Sequence, residues 1–261
     1  MRVALVQFTS GHDVGANLKR IEATARSAAA EGAQLAVYPE AAMFAFGAPL
    51  TAIAEPVGGP FGTAVRRLAD ELGMTIVVGM FTPADDGRVF NTLLVVGADG
   101  ISSYAKIHLF DALGFQESRT VAPGDALRRF TLGDATIGLA TCYDVRFPSL
   151  FIENAVAGAQ VAIVSASWGA GPGKVEQWEL LVRARAIDAT SFVLACDQAE
   201  PEGGGGSAPT GVGHSMVVSP YGEVLARLGT GEDTLIADLD LAAVTAAREA
   251  IPVLGNRRPL G

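Results

Sequence analysis

Short apolar segments and helical patterns alternate along this chain, and hairpins interrupt the alternation in the middle and again near the end. The clearest hairpin joins residues 89–97 to residues 102–107, because the Asp99-Gly100 pair between them is a strong signal for a tight turn. A doubly wound parallel sheet has no place for such hairpins. The pattern therefore predicts an α/β fold in which two sheets pack face to face with helices outside them, a four-layer α-β-β-α sandwich.

The periodicity of the apolar residues assigns most of the chain to strands and helices, and we expect these to form a single domain, residues 1–261. The predicted strands cover residues 3–8, 35–38, 75–79, 89–97, 102–107, 135–141, 161–165, 192–197, 215–219, 224–228 and 235–239. The predicted helices cover residues 17–31, 61–72, 149–157, 176–189 and 241–250. Residues 200–210 contain consecutive glycines from Gly203 to Gly206, which predict a flexible loop near a pocket.

Charge and cysteine content exclude several classes of function. The formal net charge is −9, whereas proteins that bind nucleic acid need clustered lysines and arginines. Anionic membranes repel such a chain, and no apolar run approaches the roughly 18 residues that span a bilayer. Two cysteines make no disulfide framework, and the first residues lack the apolar region of a signal peptide. We expect a cytoplasmic protein that binds neither nucleic acid nor membranes.

Cys142 stands where a nucleophile is expected. Residues 135–141 predict a buried strand, and residues 142–148 lead from that strand into a helical pattern. A thiol at a strand-to-helix turn lies at the edge of a sheet, where the N–H groups of the turn point toward a bound molecule. The alternative is a small buried hydrophobic side chain, which is the usual role of a cysteine among apolar residues. Cys196, inside a predicted strand, is assigned that role.

A cysteine nucleophile needs a base that takes its proton or a cation that lowers its pKa. His12, His108 and His214 have no distinctive context for a cysteine–histidine pair, so structural roles are favoured for all of them. Glu40 follows a predicted strand and Pro39, and Lys106 lies inside another predicted strand, where a charge is either solvated or paired in a pocket. If the two residues meet Cys142, the carboxylate can deprotonate the thiol and the ammonium can stabilise the oxyanion formed after attack.

Separated motifs along nearly the whole chain resemble the nitrilase superfamily of carbon–nitrogen hydrolases, and within it the amidase branch that contains ω-amidase and deaminated-glutathione amidase. The motifs stand in the family's order. They are Tyr38-Pro39-Glu40, YAKIHLF at residues 104–110, FQES at residues 115–118, CYDVRFP at residues 142–148, WELLVRARAID at residues 178–188 and HSMVVSPYGE at residues 214–223.

The resemblance implies an α-β-β-α fold and a Glu-Lys-Cys triad, which by matching motif is Glu40, Lys106 and Cys142. It also implies that Glu117 positions the lysine and the substrate, and that Lys106 and the backbone N–H of Tyr143 hold the oxyanion. No cluster of metal ligands stands out in the sequence, and we expect neither a metal nor a cofactor.

The activity implied by the resemblance is hydrolysis of a small amide through a cysteine thioester, with release of ammonia and a carboxylate. The expected substrate is a short ω-amide acid, either a 2-oxo-dicarboxylate monoamide or deaminated glutathione. N-carbamoyl compounds, nitriles and a non-catalytic binding module remain the alternatives. Arg146 either forms a structural salt bridge or clamps a substrate carboxylate. Trp168 belongs to residues 167–171, which are expected to line the pocket.

Two stretches depart from the ω-amidase pattern: the segment between Lys106 and Glu117 is shorter, and residues 167–171 are richer in glycine. Both departures concern the substrate rather than the triad. Members of the family are usually homo-oligomers, commonly built on a two-fold dimer. We therefore expect a homodimer or a higher homo-oligomer, in which residues 251–261 contact a second subunit.

Overall fold

The computed structural model describes residues 1–98, 100–201 and 210–258. The strands are β1 (Arg2–Gln7), β2 (Leu35–Val37), β3 (Thr75–Pro83), β4 (Val89–Gly97), β5 (Gly100–Ala105), β6 (Asp111–Ala112), β7 (Phe115–Gln116), β8 (Val121–Ala122), β9 (Arg129–Leu132), β10 (Ala135–Thr141), β11 (Val161–Ala166), β12 (Phe192–Asp197), β13 (Met216–Val218), β14 (Val224–Arg227) and β15 (Asp233–Asp238). The helices are α1 (Val14–Ala30), α2 (Pro60–Leu72), α3 (Pro148–Val156), α4 (Lys174–Ala189) and α5 (Ala242–Ala250), and 3₁₀ turns cover Leu50–Ala52, Glu117–Arg119 and Cys142–Arg146. Asp99 of the predicted hairpin and residues 202–209 of the predicted glycine-rich loop lie outside the described residues.

The strands form two large sheets and one small ribbon. The first sheet has the order β15-β1-β2-β3-β4-β5, with β8 also paired to β4, and the second has the order β14-β13-β12-β11-β10-β9. The central strands run parallel in both sheets, β1 to β3 in the first and β10 to β12 in the second, and antiparallel strands flank them. In each sheet the parallel strands end at a common edge. These two edges carry the residues described below as the candidate site.

The alternation of side chains along the strands sets the order of the layers. Val3 and Leu5 of β1 face the core between the sheets, whereas Ala4 and Val6 pack under α1 and α2. Strands β11 and β12 alternate in the same way between the inner core and the layer of α3 and α4. The layers are therefore helix, sheet, sheet, helix, and the predicted four-layer sandwich is confirmed. Within the described ranges, every helix is too short or too polar to cross a membrane.

The predicted elements are present, although several of their ends differ. Helix α1 begins at Val14 rather than residue 17, because the Asp13 carboxylate accepts a hydrogen bond from the N–H of Ala16 at 2.9 Å and caps the helix. Strand β3 continues to Pro83, beyond the predicted end at residue 79. The short strands β6 to β9 were not predicted, since two to four residues are too few to show an apolar period.

The prediction that Lys106 lies inside a strand is wrong, because β5 ends at Ala105. The Lys106 N–H donates to the carbonyl of Asn91 at 2.9 Å, and the Lys106 carbonyl accepts from the N–H of Gly124 at 2.8 Å. A side chain at Gly124 could not fit, since a Cβ there would lie 2.2 Å from the carbonyl oxygen of Ala105. The close approach of Gly124 thus fixes the backbone from which the lysine side chain enters the interior.

The described part of the C-terminal tail, residues 251–258, lies against its own chain. Arg257 pairs with Glu153 of α3 at 2.5 Å, and Leu254 packs on the core layer of α3 and α4. Contact of the tail with a second subunit stays a prediction, as does the homo-oligomer itself.

Gly79 in the middle of β3 lies directly beneath the backbone that carries Glu40. A Cβ at this position would lie 2.6 Å from the Ala41 nitrogen and 2.6 Å from the Pro39 oxygen. These are backbone atoms that cannot swing away, so glycine is the residue that permits the close approach.

We expect Gly79→Ala to displace the Glu40 turn and to lower the free energy of unfolding by about 1–3 kcal/mol, the usual cost of overpacking. Urea denaturation of the purified protein measures the change. Gly58→Ala is the matched control, because no atom lies within 4 Å of a Cβ built there. Equal stability of the two variants would contradict the proposed close approach.

Candidate active site

A cavity of about 460 Å³, including its open mouth, lies at the edge where β2, β5, β10 and β11 end. All residues that the sequence singled out for catalysis or substrate binding line it together: Glu40, Lys106, Glu117, Cys142, Tyr143, Arg146 and Trp168. The remaining lining residues are Phe46, Phe110, Phe115, Ser167, Gly169 and Lys174.

Glu40 is held by both sheets. It follows β2, and the next residue, Ala41, adopts a left-handed conformation with φ 57°. Gln198, next to the end of β12, donates through its side-chain amide to the Glu40 carbonyl at 2.8 Å. The N–H of Ser167, which follows β11, donates to Glu40 Oε2 at 2.8 Å. The carboxylate is 1% exposed and has little freedom to turn.

Lys106 lies between two carboxylates. Its Nζ donates to Glu40 Oε1 at 3.0 Å and to both oxygens of Glu117 at 3.0 and 2.9 Å. Burial alone lowers the pKa of the Lys106 ammonium, but the charges of Glu40 and Glu117 outweigh burial and hold this pKa well above its ordinary value. The side chain is therefore charged at neutral pH. Burial raises the pKa of Glu40, although the charge of Lys106 opposes that rise.

Asn91 completes the charged cluster, and sequence reasoning missed it. Its side-chain amide donates to Glu40 Oε1 at 2.7 Å and to Glu117 Oε1 at 3.2 Å. Glu117 also accepts from the backbone N–H of Phe110 at 2.7 Å. Asn91 is fully buried in the middle of β4, where a polar residue has no distinguishing neighbours in the sequence. Only its packing against the two carboxylates reveals its function.

Cys142 occupies a strained turn between β10 and α3. Its φ of 47° lies in the left-handed region, which a side chain disfavours, and such strain persists where the surroundings fix it. Cys142 as a whole residue is 9% exposed and lines the cavity, and its Sγ lies 3.9 Å from the Ser167 carbonyl. Burial, together with the charge of Glu40, raises the pKa of Cys142 well above its usual range, although Lys106 opposes the rise. The resting side chain is therefore a neutral thiol.

Asp144 holds the turn that carries Cys142. Its carboxylate is fully buried and accepts hydrogen bonds from the N–H groups of Thr141 at 2.8 Å and His108 at 3.0 Å. The Tyr104 hydroxyl donates to the same carboxylate at 2.6 Å, and the His108 ring contacts it at 2.7 Å. The spacing of Thr141 and Asp144 matches a capping box, and that signal could have identified Asp144 from the sequence.

Asp197 supports the opposite wall of the cavity, and sequence reasoning missed this residue too. Its carboxylate accepts from the backbone N–H groups of Trp168 and Val212, both at 2.8 Å. Burial raises the pKa of Asp197 to about 8, although these N–H groups act in the opposite direction. Asp197 thus fixes the backbone of Trp168 from the end of β12. No sequence signal distinguishes it from any other residue at the end of a strand.

Tyr143, Arg146 and Trp168 form the outer part of the cavity. Arg146 donates to the Gln177 side chain at 2.8 Å, and its guanidinium lies 5.2 Å from the centre of the Trp168 ring. It forms no ion pair with any residue that the structure describes. The Tyr143 ring packs edge-on against Phe110, with ring centres 5.2 Å apart. The structural salt bridge considered for Arg146 is absent from the described chain.

The histidines and the second cysteine lie away from the cavity. None of the three histidines lines it. His12 contacts the Phe46 carbonyl at 3.1 Å, and His108 is held by Asp144, so both have structural partners. Cys196 is fully buried between the sheets, where Sγ contacts the carbonyls of Val6 and Val37. Across the described residues, no cluster of potential metal ligands is found.

Residues 2–249 match the model of the carbon-nitrogen hydrolase family. A hydrolase of Mycobacterium tuberculosis is 51% identical, with 98% of this chain and 95% of the relative covered. An omega-amidase of Homo sapiens is 34% identical over the same shares of the two chains. The crystal structure of Nit3 from Saccharomyces cerevisiae, a member of the nitrilase superfamily, superimposes with a TM-score of 0.87 at 29% identity, covering 99% of this chain and 96% of that one.

The chain therefore belongs to the carbon-nitrogen hydrolase family, in the nitrilase superfamily, and it is an enzyme of that class. The family resemblance found in the sequence motifs is confirmed.

We expect iodoacetamide to label Cys142 and to leave Cys196 unmodified in the folded protein, because Cys142 borders the cavity and Glu40 in the same cavity can take the thiol proton during attack, whereas Cys196 is fully buried. Mass spectrometry of proteolytic fragments after labelling at neutral pH measures both sites. Cys142→Ser is the control: it should take up no label while folded and one label after denaturation. Equally slow labelling of the two cysteines would contradict an accessible nucleophile at Cys142.

Proposed function

We propose that this enzyme hydrolyses the amide bond of a short ω-amide acid through a thioester on Cys142. The observation that carries the proposal is one cavity in which a thiol, a buried ammonium and two carboxylates meet. Such a set supplies a nucleophile, a base and an oxyanion donor. The similarity to an omega-amidase supports an amide as the bond that is cleaved.

In the first half of the reaction, Glu40 takes the proton of Cys142 as the sulfur attacks the amide carbon. The charge that develops on the carbonyl oxygen is stabilised by Lys106 and by the backbone N–H of Tyr143. The C–N bond then breaks, and protonated Glu40 donates its proton to the leaving nitrogen. Ammonia departs, and the acyl group remains on the sulfur as a thioester.

In the second half, a water molecule attacks the thioester while Glu40 takes a proton from that water. The tetrahedral intermediate collapses, the carboxylic acid leaves, and the proton returns to the sulfur of Cys142. Glu117 takes no proton in either half. It positions Lys106 through two hydrogen bonds and keeps the ammonium charged.

The electrostatics favour a base that acts at the moment of attack over a thiolate formed in advance. Burial and the nearby carboxylate both raise the pKa of Cys142, so the thiol keeps its proton until the substrate is bound. The pKa of Glu40 is also raised by burial, which brings it nearer to the working range of a general base.

The outer part of the cavity can bind the end of the substrate that carries the free carboxylate. Arg146 borders the cavity without an ionic partner among the described residues, and a guanidinium binds a carboxylate through two parallel hydrogen bonds. Trp168 forms the apolar wall beside it. The substrate class that fits is a small amide with a free carboxylate, such as a 2-oxo-dicarboxylate monoamide.

We expect Cys142→Ala to abolish ammonia release from a panel of ω-monoamides, N-carbamoyl compounds and nitriles. Lys106→Met should lower kcat by at least about 10²–10³-fold, the effect of removing one oxyanion donor. Ammonia assays with each compound measure both effects and identify the preferred bond. Lys19→Met, a change on the exposed face of α1, is the control. Wild-type turnover in Cys142→Ala would exclude the thioester mechanism.

The raised pKa of Glu40 predicts where activity falls on acidification. The base must be ionised to accept a proton, so kcat/KM should decline as the pH drops through the pKa of Glu40, which lies above the ordinary value of 4.5. A pH–rate profile measures the midpoint, and circular dichroism at each pH checks that the protein stays folded. A midpoint at or below the ordinary carboxyl value would show that another group controls the reaction.

A further inference from the structure

Two cations stand side by side at the mouth of the cavity. Arg146 comes from the 3₁₀ turn after Cys142, and Lys174 is the first residue of α4. Both lie against Trp168, with the Arg146 guanidinium 5.2 Å and the Lys174 ammonium 5.6 Å from the ring centre. The ammonium also lies 5.8 Å from the Phe110 ring, and the Trp168 indole N–H donates to the Lys174 carbonyl at 2.9 Å.

Neither cation has an acidic partner within the described ranges. The contrast with the rest of the surface is clear, since many other arginines pair with a carboxylate, as Arg2 does with Asp238 and Arg26 with Glu71. Repulsion from Arg146 is one of the causes that lower the pKa of Lys174, after burial. The two charges thus oppose each other in the free enzyme, and an anion between them would relieve the repulsion.

The net charge of the cavity lining also matches the binding of one anion. Two carboxylates, Glu40 and Glu117, stand against three cations, Lys106, Arg146 and Lys174. The inner cluster has one negative charge in excess, and the mouth has two positive charges. The sum is one positive charge, which a single substrate carboxylate neutralises.

We propose that Lys174 is a specificity-determining residue that, together with Arg146, holds the free carboxylate at the far end of the substrate; the inference rests on the proposed amidase function. Arg146 offers two parallel donors to the carboxylate. Lys174, whose ammonium lies against the same Trp168 ring, adds a point charge. The preferred substrates are therefore monoamides of short dicarboxylic acids, and neutral amides of the same length are selected against.

The test compares two substrates of equal length: succinamate, which carries the carboxylate, and butanamide, which has a methyl group in its place. In Lys174→Met, we expect the ratio of kcat/KM for succinamate to that for butanamide to fall about tenfold, since a hydrogen bond to a charged group contributes that much. The loss should appear in KM rather than in kcat. Lys174→Arg should restore most of the ratio, and Lys19→Met is the matched control outside the cavity.

A structural role for Lys174 gives a different result. If its side chain only packs on Trp168 and Phe110, Lys174→Met changes both substrates equally and leaves the ratio unaltered, which would overturn the inference.

A binding measurement tests the carboxylate site independently of the proposed amidase function. Calorimetry with succinate as the probe compares Cys142→Ala with the double variant Cys142→Ala/Lys174→Met, and neither needs to turn over a substrate. About tenfold weaker binding in the double variant supports the carboxylate site even if no amide is hydrolysed. Equal affinity overturns it even if the wild-type enzyme hydrolyses every amide tested.

Discussion

The buried ammonium of Lys106 between Glu40 and Glu117 is the interaction on which the rest of the site depends. Removing an isolated charge from water costs several kcal/mol, and only close opposite charges with good geometry offset this cost. The three residues come from three separate segments of the first half of the chain. A well-packed apolar cluster could be as stable as this one. Its charges are therefore better explained by the chemistry of the cavity than by the stability of the fold.

The sandwich brings this cluster to the nucleophile because the two sheets contribute complementary parts. Glu40 and Lys106 follow strands of the first sheet, whereas Cys142 follows a strand of the second. The main chain of Ser167 links them, since its N–H donates to Glu40 and its carbonyl lies beside the Cys142 sulfur. Ser167 and Cys142 belong to the same sheet, so a shift of one sheet against the other would move Glu40 relative to both the Ser167 N–H and the Cys142 sulfur.

Much of this arrangement could be predicted from the sequence, for identifiable physical reasons. Cys142 and Glu40 each follow a buried apolar run, which places each of them at the end of a strand. Their strands belong to different sheets, so the meeting of the two residues was implied by the family motifs rather than by strand order. The position of Lys106 was misjudged, because a single charge at a strand end does not show where the ladder stops. Asn91 and Asp197 were missed for another reason. Their functions exist only through contacts with distant segments, and their neighbours in the sequence are ordinary strand residues.

In the proposed function, the charge of the cavity also determines which way the substrate enters. Its interior is negative, with two carboxylates around one ammonium, while its mouth carries Arg146 and Lys174. A substrate that entered with its carboxylate first would meet Glu40 and Glu117 at close range in a water-poor site, where repulsion is strong. The opposite orientation brings the uncharged amide to Cys142 and leaves the carboxylate with the two cations. The charges of the cavity thus set the orientation of the substrate before any contact specific to the amide is made.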